Sequence, residues 1–455
     1  MSTKIVTDKN TSKFSTKELL DIFNFKEIID ADESYSICTD SRTIKTDQIF
    51  LPISGEKYDG HDFINSVFEK DVKYSFCDAK KIQKINEKFR KSLILVDDTL
   101  NAYHEIAKYY KRKISPKTIT ITGSSGKTTI KDLIATILST KYKVHKTEAN
   151  FNNEIGVPKT ILEMPEDTQV LVLELAMRAK GEIRFLAKTA EADITVITNV
   201  GSAHIGRLGS LQAIIEAKCE ILEHLKNEGI AIVHNNPDLI KCAGRYMPQH
   251  VPMTTFDLAE AKNITFKNGK TNFTFEDKNY TINAPGKIHV LNSLCAMKTA
   301  EKLNLSFEEI KKGLIEFTLP QGRGNIISLK GDKFLIDESY NANPESLKAA
   351  ITSLIECWNS EYKKIVVIGE LAELGGHESQ LLTELNDWVN KMPLDHVITV
   401  GDKIKAITYK SSTNVRNIEE CCAILNNLFT SKSVVLVKGS RVAGLEKLVN
   451  YFSNK

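Results

Sequence analysis

The run Thr122-Gly123-Ser124-Ser125-Gly126-Lys127-Thr128-Thr129 gathers the residue types that bind phosphate. It lies between the β-branched run Lys117–Thr122 and a helical pattern over Thr128–Thr140. Glycines let backbone amides converge on phosphate oxygens, and a helix start adds the positive end of its dipole. Lys127 can reach the β- and γ-phosphates, and the Thr128 hydroxyl can ligate Mg²⁺. In the general motif the first glycine stands five positions before the second; Ile121 occupies that place here, leaving a shorter G-x-x-G-K-T-T loop. A Gly/Ser turn with a surface lysine would read similarly, but strand, loop and helix follow in the order a phosphate loop requires. Gly123, Ser124, Ser125, Gly126, Lys127, Thr128 and Thr129 are therefore expected to hold ATP or GTP.

Three further side chains could do chemistry. Glu174 closes the apolar run Gln169–Leu175, where a carboxylate can hold Mg²⁺ directly or through water, or cap the next helix. His204 stands in Gly201-Ser202-Ala203-His204, after the run Asp193–Thr198; a lone histidine is more often structural than a ligand. Lys218 lies in Ile215-Glu216-Ala217-Lys218-Cys219-Glu220, and a lysine among apolar neighbours at helical spacing usually snorkels to the surface. Residue physics alone does not single it out.

The elements that must position these groups alternate. The chain has 455 residues, room for about three domains. The first block runs to about Pro116, with short apolar runs at Ile49–Ile53 and Leu93–Val96, a turn at Tyr58-Asp59-Gly60, and a helix over Leu100–Lys111 before a linker at Lys113–Pro116. The second adds buried strands at Gln169–Leu175, Asp193–Thr198 and Ile230–His234, a helix over Ile214–Lys226, and an antiparallel excursion over Asn263–Asn283 around an Asn268-Gly269 turn. The third, from Leu319-Pro320, has strands at Lys333–Asp337, Lys364–Gly369, His396–Gly401 and Ser433–Val437. Each but the last precedes a helical pattern, and the last precedes a helix over Ala443–Tyr451. The fold expected is α/β in three domains: residues 1–114, then 115–318 with the phosphate loop on a mostly parallel sheet, then a Rossmann-like, doubly wound 319–455.

Composition removes other classes. Hydrophobic residues make up 42% and charged residues 26%, ordinary for a globular chain. Lys plus Arg is 61 against 58 Asp plus Glu, a net charge of +3, which argues against a dedicated nucleic-acid binder. No run approaches the ~20 apolar residues of a membrane helix, and the opening MSTKIVTDKNTSKFSTKEL has no secretory apolar stretch. The eight scattered cysteines are expected as reduced thiols in a cytoplasmic protein, with no zinc spacing among them.

The constellation resembles the Mur ligase family, the ATP-dependent amide ligases of peptidoglycan precursor synthesis. The short phosphate loop is followed by Asn150-Phe151-Asn152-Asn153, Gly156-Val157-Pro158, Thr198-Asn199-Val200-Gly201, Ala203-His204, Leu208-Gly209-Ser210 and Ala217-Lys218-Cys219-Glu220 in the family's order. Thr39-Asp40-Ser41-Arg42 and Asp59-Gly60-His61-Asp62-Phe63 are similar to the uridine-nucleotide domain of its later members. Asp337-Glu338-Ser339-Tyr340-Asn341-Ala342-Asn343-Pro344 and Val437-Lys438-Gly439-Ser440-Arg441 are similar to the member that joins D-Ala-D-Ala to UDP-N-acetylmuramoyl-tripeptide. The likeness spans roughly residues 36–450. The chain departs from the family at Ala176, where glycine is usual, and at Gly286-Lys287-Ile288-His289.

The resemblance implies roles. Thr128 and Glu174 match ligands of the Mg²⁺ that bridges ATP phosphates, and His204 and a carbamylated Lys218 match a second Mg²⁺ site. Catalysis would rest on Lys127, His204 and Lys218. Asn292, Arg323 and Asp337 match contacts to the base, phosphates and ribose of ATP. Ser41, Arg42, Asp59, Gly60 and His61 match the uridine-nucleotide region, and Tyr340, Asn341 and Asn343 the place where dipeptide and nucleotide meet. The partners implied are the UDP-muramoyl-tripeptide and D-Ala-D-Ala, acting on a monomer. Two alternatives stand beside this: a folylpolyglutamate synthetase-like ligase, which lacks the Asp59–His61 block, and a phosphate-loop kinase or NTPase that makes no amide bond.

Overall fold

A computed structural model describes residues 12–23, 33–55, 57–267 and 269–454. Packing divides the chain into two compact units. One takes the residues up to Thr120 with Lys143–Leu175 and Arg184–Ala192; the other takes Ile121–Tyr142, Ala176–Ile183 and Asp193 onward. The division falls inside the middle block of the sequence.

In the first unit β1 (Phe14–Ser15), β2 (Ser34–Cys38), β3 (Gln48–Phe50), β4 (Ser75–Asp78) and β5 (Leu93–Val96) form one sheet in that order. Only the β1–β2 pair is antiparallel. Phe50, Cys77 and Leu93 of this sheet pack with Ile64, Val67 and Phe68 in a buried cluster. The Thr99–Ile114 helix starts where Asp98 accepts from the Asn101 N–H at 2.7 Å, and ends where Ser115 turns left-handed at φ 55°. It therefore runs through Lys113, and the expected linker shrinks to two residues. The reason is burial: Tyr110 and Lys111 are 0% and 3% exposed, and their polar ends reach the carbonyls of Met164 (2.8 Å) and Ala190 (2.5 Å). β6 (Lys117–Thr122) leads out of this unit into the other, and β7 (Val144–Lys146) and β8 (Val170–Glu174) pair in parallel within the first.

In the second unit β9 (Ile194–Ile197), β10 (Ile230–His234) and β11 (Met253–Phe256) run parallel. The excursion that follows has three antiparallel strands, β12 (Lys262–Lys267), β13 (Lys270–Phe275) and β14 (Lys278–Ile282). Its first turn includes Gly269 at φ 73°, while Asn268 lies outside the described residues. The last sheet joins β15 (Asn325–Leu329), β16 (Lys333–Glu338), β17 (Lys363–Gly369), β18 (His396–Val400), β19 (Ser412–Val415) and β20 (Ser433–Lys438) in the order β15-β16-β20-β17-β18-β19. All its pairs are parallel except β15–β16. Successive residues face opposite sides: Ile336, Val366, Val397 and Leu436 enter one buried cluster, and Leu335, Val367, Ile398 and Val437 the other. That is the doubly wound arrangement expected for parallel strands buried on both faces.

Most expected elements lie within a residue or two of the observed ones. Besides the longer Thr99–Ile114 helix and the shorter β3, three differ more. No helix follows β18 directly; the chain turns into edge strand β19 before the Ile418–Leu428 helix. The helix expected over 214–226 is Leu211–Cys219 followed by a 3₁₀ turn, Glu220–Leu222. The final helix is Glu446–Ser453, after a short 3₁₀ turn at Arg441–Ala443. The eight cysteines are free thiols, all but Cys357 buried. Among the described residues no helix is long and apolar enough to cross a membrane.

Candidate active site

The phosphate loop leaves β6 at Thr122 and enters the Lys127–Leu138 helix at Gly126. Gly126 caps that helix in a left-handed conformation, φ 77°, that favours glycine. A side chain at Gly123 would collide with Thr198, since a Cβ there would stand 1.9 Å from its Oγ1. The first helix-internal bond at this end is Ile130 N–H to Gly126 O, at 2.9 Å, so the amides of the opening turn point out of the helix end. Behind the loop stands Thr198-Asn199-Val200-Gly201. Asn199 accepts from the Ser124 N–H through its carbonyl (3.1 Å) and from the Ser125 N–H through Oδ1 (2.9 Å). The Thr198 hydroxyl donates to Ser125 O at 2.6 Å. Lys127 Nζ folds back onto Gly123 O at 2.7 Å. Thr128 Oγ1 accepts from Arg323 Nη2 at 3.1 Å, while Thr129 is buried. Asn292 is also buried, and its Oδ1 lies 3.4 Å from where a Gly126 Cβ would stand. In this unit, then, Arg323 and Asn292 meet the phosphate loop.

Lys218 is not a snorkelling surface residue. It is 1% exposed on the Leu211–Cys219 helix, whose start is capped by Ser210. Among the described residues no carboxylate pairs with its ammonium. Burial and the positive charge of Lys127 push its pKa well below the ordinary lysine value. His204 holds a left-handed backbone, φ 68°, and its Nδ1 lies 2.6 Å from Glu373 Oε2. That imidazole keeps the Glu373 carboxyl below its usual range, burial working against it. Glu373 carried no signal in the sequence. Beside it Gly206 and Gly375 touch so closely that a Cβ on either would come within 2.6 Å of the other's backbone.

The acceptor segment follows β16. Asp337 is buried, and its Oδ1 accepts from Ser339 N–H (3.0 Å) and Oγ (2.6 Å), so one oxygen is spent on the turn. The Arg323 guanidinium lies 4.2 Å over the Tyr340 ring. Asn341 is exposed, and its carbonyl accepts from Lys438 Nζ at 3.1 Å. Lys438 also pairs with Glu338 at 2.8 Å, a buried cation the motif contained but whose partner spacing did not reveal. Asn343 caps the Pro344–Cys357 helix by accepting from Ser346 N–H at 2.8 Å.

In the first unit Glu174 ends β8, 2% exposed, and accepts from Asn152 Nδ2 at 2.8 Å. Asn152 belongs to the Asn150–Asn153 run noted in the sequence. Gly60 is pressed against Ile53, where a Cβ would stand 2.7 Å from its nitrogen. His61 is fully buried: Nδ1 lies 2.7 Å from Asp59 Oδ1, and Nε2 accepts from the Asp78 N–H at 3.0 Å. This sets the tautomer with the proton on Nδ1. Asp59 also takes Lys81 and Lys84, each at 3.1 Å. Burial alone would raise its pKa, but bonds from His61, Lys84 and Lys81 outweigh that and hold it well below the carboxylate range. Arg42 is exposed and grips Asp40 through Nε (2.8 Å) and Nη2 (2.7 Å), and Ser41 O accepts from Lys70 Nζ at 2.7 Å.

A phosphate loop braced by a T-N-V-G segment, with a buried lysine beside its own lysine and a second doubly wound sheet, defines a nucleotide-dependent α/β enzyme. Three family models match the chain in sequence: Mur ligase family, catalytic domain, over residues 33–111; Mur ligase middle domain over 121–300; and Mur ligase, glutamate ligase domain over 322–441. The UDP-N-acetylmuramoyl-tripeptide–D-alanyl-D-alanine ligase of Bacillus subtilis is 34% identical, over 91% of this chain and 92% of its own. The Escherichia coli enzyme of that name is 29% identical over 95% and 96%. MurF from Acinetobacter baumannii superposes with a TM-score of 0.87 at 27% identity, over 98% of this chain and 99% of its own. MurF from Thermotoga maritima, solved in complex with ADP, gives 0.83 at 28% identity, over 92% and 97%. The chain belongs to the Mur ligase family.

Proposed function

We propose that this chain is the ATP-dependent ligase that joins D-Ala-D-Ala to UDP-N-acetylmuramoyl-tripeptide in the cytoplasm, giving the UDP-muramoyl-pentapeptide, ADP and phosphate. A carboxylate resists amine attack at neutral pH. In this reading an oxygen of the tripeptide's terminal carboxylate attacks the γ-phosphorus of ATP, the bond to the β-phosphate oxygen breaks, and ADP leaves. The amine of D-Ala-D-Ala then attacks the acyl carbon, loses a proton, and expels phosphate. The observation that carries the reading is the phosphate loop itself, braced by Thr198 and Asn199, with Lys127 on it, Arg323 on Thr128, and a buried Lys218 whose pKa the charge of Lys127 helps to lower.

Each residue has a task. Lys127, the amides of residues 126–129 and Arg323 offset charge on the phosphoryl oxygens. Asn292 and Asp337 orient the nucleotide from the helix and strand that carry them. Tyr340, Asn341 and Asn343 receive the dipeptide, and Ser41, Arg42, Asp59 and Gly60 the uridine nucleotide. His61, buried with both ring nitrogens engaged, acts by fixing Asp59. Residues 1–114, 115–318 and 319–455 would serve as nucleotide-sugar, ATP and acceptor domains.

The family likeness calls for two Mg²⁺ ions. Among the described residues no three or more His, Cys, Asp or Glu side chains cluster as a metal site. Of the residues the likeness assigns to the first ion, Thr128 lies in the second unit and Glu174 in the first; His204 with a carbamylated Lys218 would hold the other. Carbon dioxide adds only to a neutral amine, a form that burial and the charge of Lys127 favour at Lys218; a carbamate there would offer the hard oxygen donors the ion favours. Bound Mg²⁺ supplies charge neutralisation on the transferring phosphoryl group.

The test is ATP turnover with Mg²⁺ and the UDP-muramoyl-tripeptide, with and without D-Ala-D-Ala. The reading expects phosphate release that needs both substrates, and a product heavier by the dipeptide less water. Release that ignores the dipeptide would leave a phosphate-loop NTPase.

A further inference from the structure

We propose that Glu345 is a positioning residue that ties the acceptor segment 340–344 to the phosphate loop through Ser202. The inference rests on the ligase reading above. Glu345 is the second residue of the Pro344–Cys357 helix, two positions after Asn343. Its Oε1 accepts from the Ser202 N–H and its Oε2 from the Ser202 hydroxyl, both at 2.9 Å. Gly201 lies against the same carboxyl group, where a Cβ would stand 3.1 Å from Glu345 Cδ. Gly201 in turn exchanges two bonds with the phosphate loop: its N–H donates to Ser124 Oγ at 2.9 Å, and its carbonyl accepts from that hydroxyl at 3.1 Å. Hydrogen bonds thus run without a gap from the loop that holds ATP phosphates to the helix start beside the acceptor segment.

An acidic residue in a first helical turn is often no more than a partner for the helix dipole. That role needs no bidentate contact with one residue 143 positions away. The cap is already supplied by Asn343. Ser202 and Ser124 are 7% and 8% exposed, whereas Glu345 is exposed, so its carboxyl reaches from a solvated helix start onto a buried loop. The Ser124–Gly201 bonds do not involve Glu345. Removing Glu345 therefore frees the acceptor segment while the phosphate loop keeps its brace.

The experiment compares the wild-type protein with the Glu345→Ala, Glu345→Gln and Ser202→Ala variants. It reads KM and kcat for D-Ala-D-Ala, KM for ATP, and the acyl phosphate trapped by hydroxylamine without the dipeptide. In Glu345→Ala the KM for the dipeptide is expected to rise about tenfold, the size of a lost charge-assisted bond. Trapping and the ATP KM are expected to stay within about twofold, with the protein still folding cooperatively at a modestly lower melting temperature. Glutamine can accept from the Ser202 N–H and donate to its hydroxyl, so Glu345→Gln is expected to recover most of the loss. Ser202→Ala should fall between. An unchanged dipeptide KM in Glu345→Ala overturns the inference, as does a parallel fall in trapping. A wild-type protein that ignores the dipeptide overturns the ligase reading, and this inference with it.

Discussion

Two charged clusters of this molecule follow opposite rules. In the first unit Asp59 is surrounded by His61, Lys81 and Lys84, and both ring nitrogens of His61 are engaged. In the second, Lys218 is buried with the charge of Lys127 beside it and no carboxylate partner among the described residues. A satisfied cluster holds a loop in one shape. A buried lysine close to a second positive charge is disfavoured in its charged form, and a negative charge brought nearby relieves that. On the proposed function, the second cluster is where the ATP phosphates would bind.

Loss of Lys127 should have the largest effect. Lys127→Ala is expected to lower ligation on the order of 10²–10³-fold while circular dichroism and melting stay native, because the lysine acts on ligand charge. Near-normal turnover would mean the cation pair is incidental. Lys218 sharpens the point by separating function from stability. Lys218→Ala is expected to lose most activity, partly restored by a short carboxylic acid that fills the place proposed for a carbamate. Lys218→Met should be equally inactive yet melt higher, since it replaces a polar side chain that burial and the charge of Lys127 disfavour with an apolar chain of similar length. A lower melting temperature would contradict the idea that this residue is destabilising in the free protein.

The satisfied cluster should respond in the opposite sense. His61→Ala leaves the Asp78 N–H without its acceptor and Asp59 with Lys81 and Lys84 but no imidazole, and is expected to cost about 2 kcal/mol in denaturant unfolding. A smaller effect follows from His104, whose Nδ1 and Nε2 meet Thr189 Oγ1 (2.6 Å) and Glu154 O (2.7 Å) in the first unit. Burial lowers its pKa to about 4 from an ordinary 6.5. Below 6.5 the unfolded chain binds the proton and the folded one does not, so this contribution is present above 6.5 and lost as pH falls toward 4. Unfolding free energies across that window should drop in the wild type and flatten in His104→Asn.

Much of the second unit could be read from sequence because its signals are local. β6, the phosphate loop and the helix after it are contiguous, and each has its own pattern: β-branched residues, glycines, helical spacing. Buried strands such as β10 and β17 are apolar runs bounded by turn residues and lie where expected. Edge strands β15 and β19 escaped because half-polar strands carry little periodic signal. The site was less open where it depends on distant partners. Lys218 was singled out only through family likeness, since helical spacing does not distinguish a buried lysine from a snorkelling one. Glu373 reaching His204 and Glu345 reaching Ser202 are contacts across more than 140 residues, set by how the last sheet packs within its unit. His61 carried the right motif, but its burial, which turns it from a ligand contact into a support for Asp59, is a tertiary fact.

On the proposed function, the phosphate loop with its Lys127 and the buried Lys218 activates a carboxylate by phosphorylating it. The most direct test labels the terminal carboxylate of the UDP-muramoyl-tripeptide with ¹⁸O and follows the label during ligation to D-Ala-D-Ala. If an acyl phosphate forms, one labelled oxygen leaves in each inorganic phosphate and the other stays in the new amide. Label-free phosphate from a reaction that still consumes ATP would contradict the account.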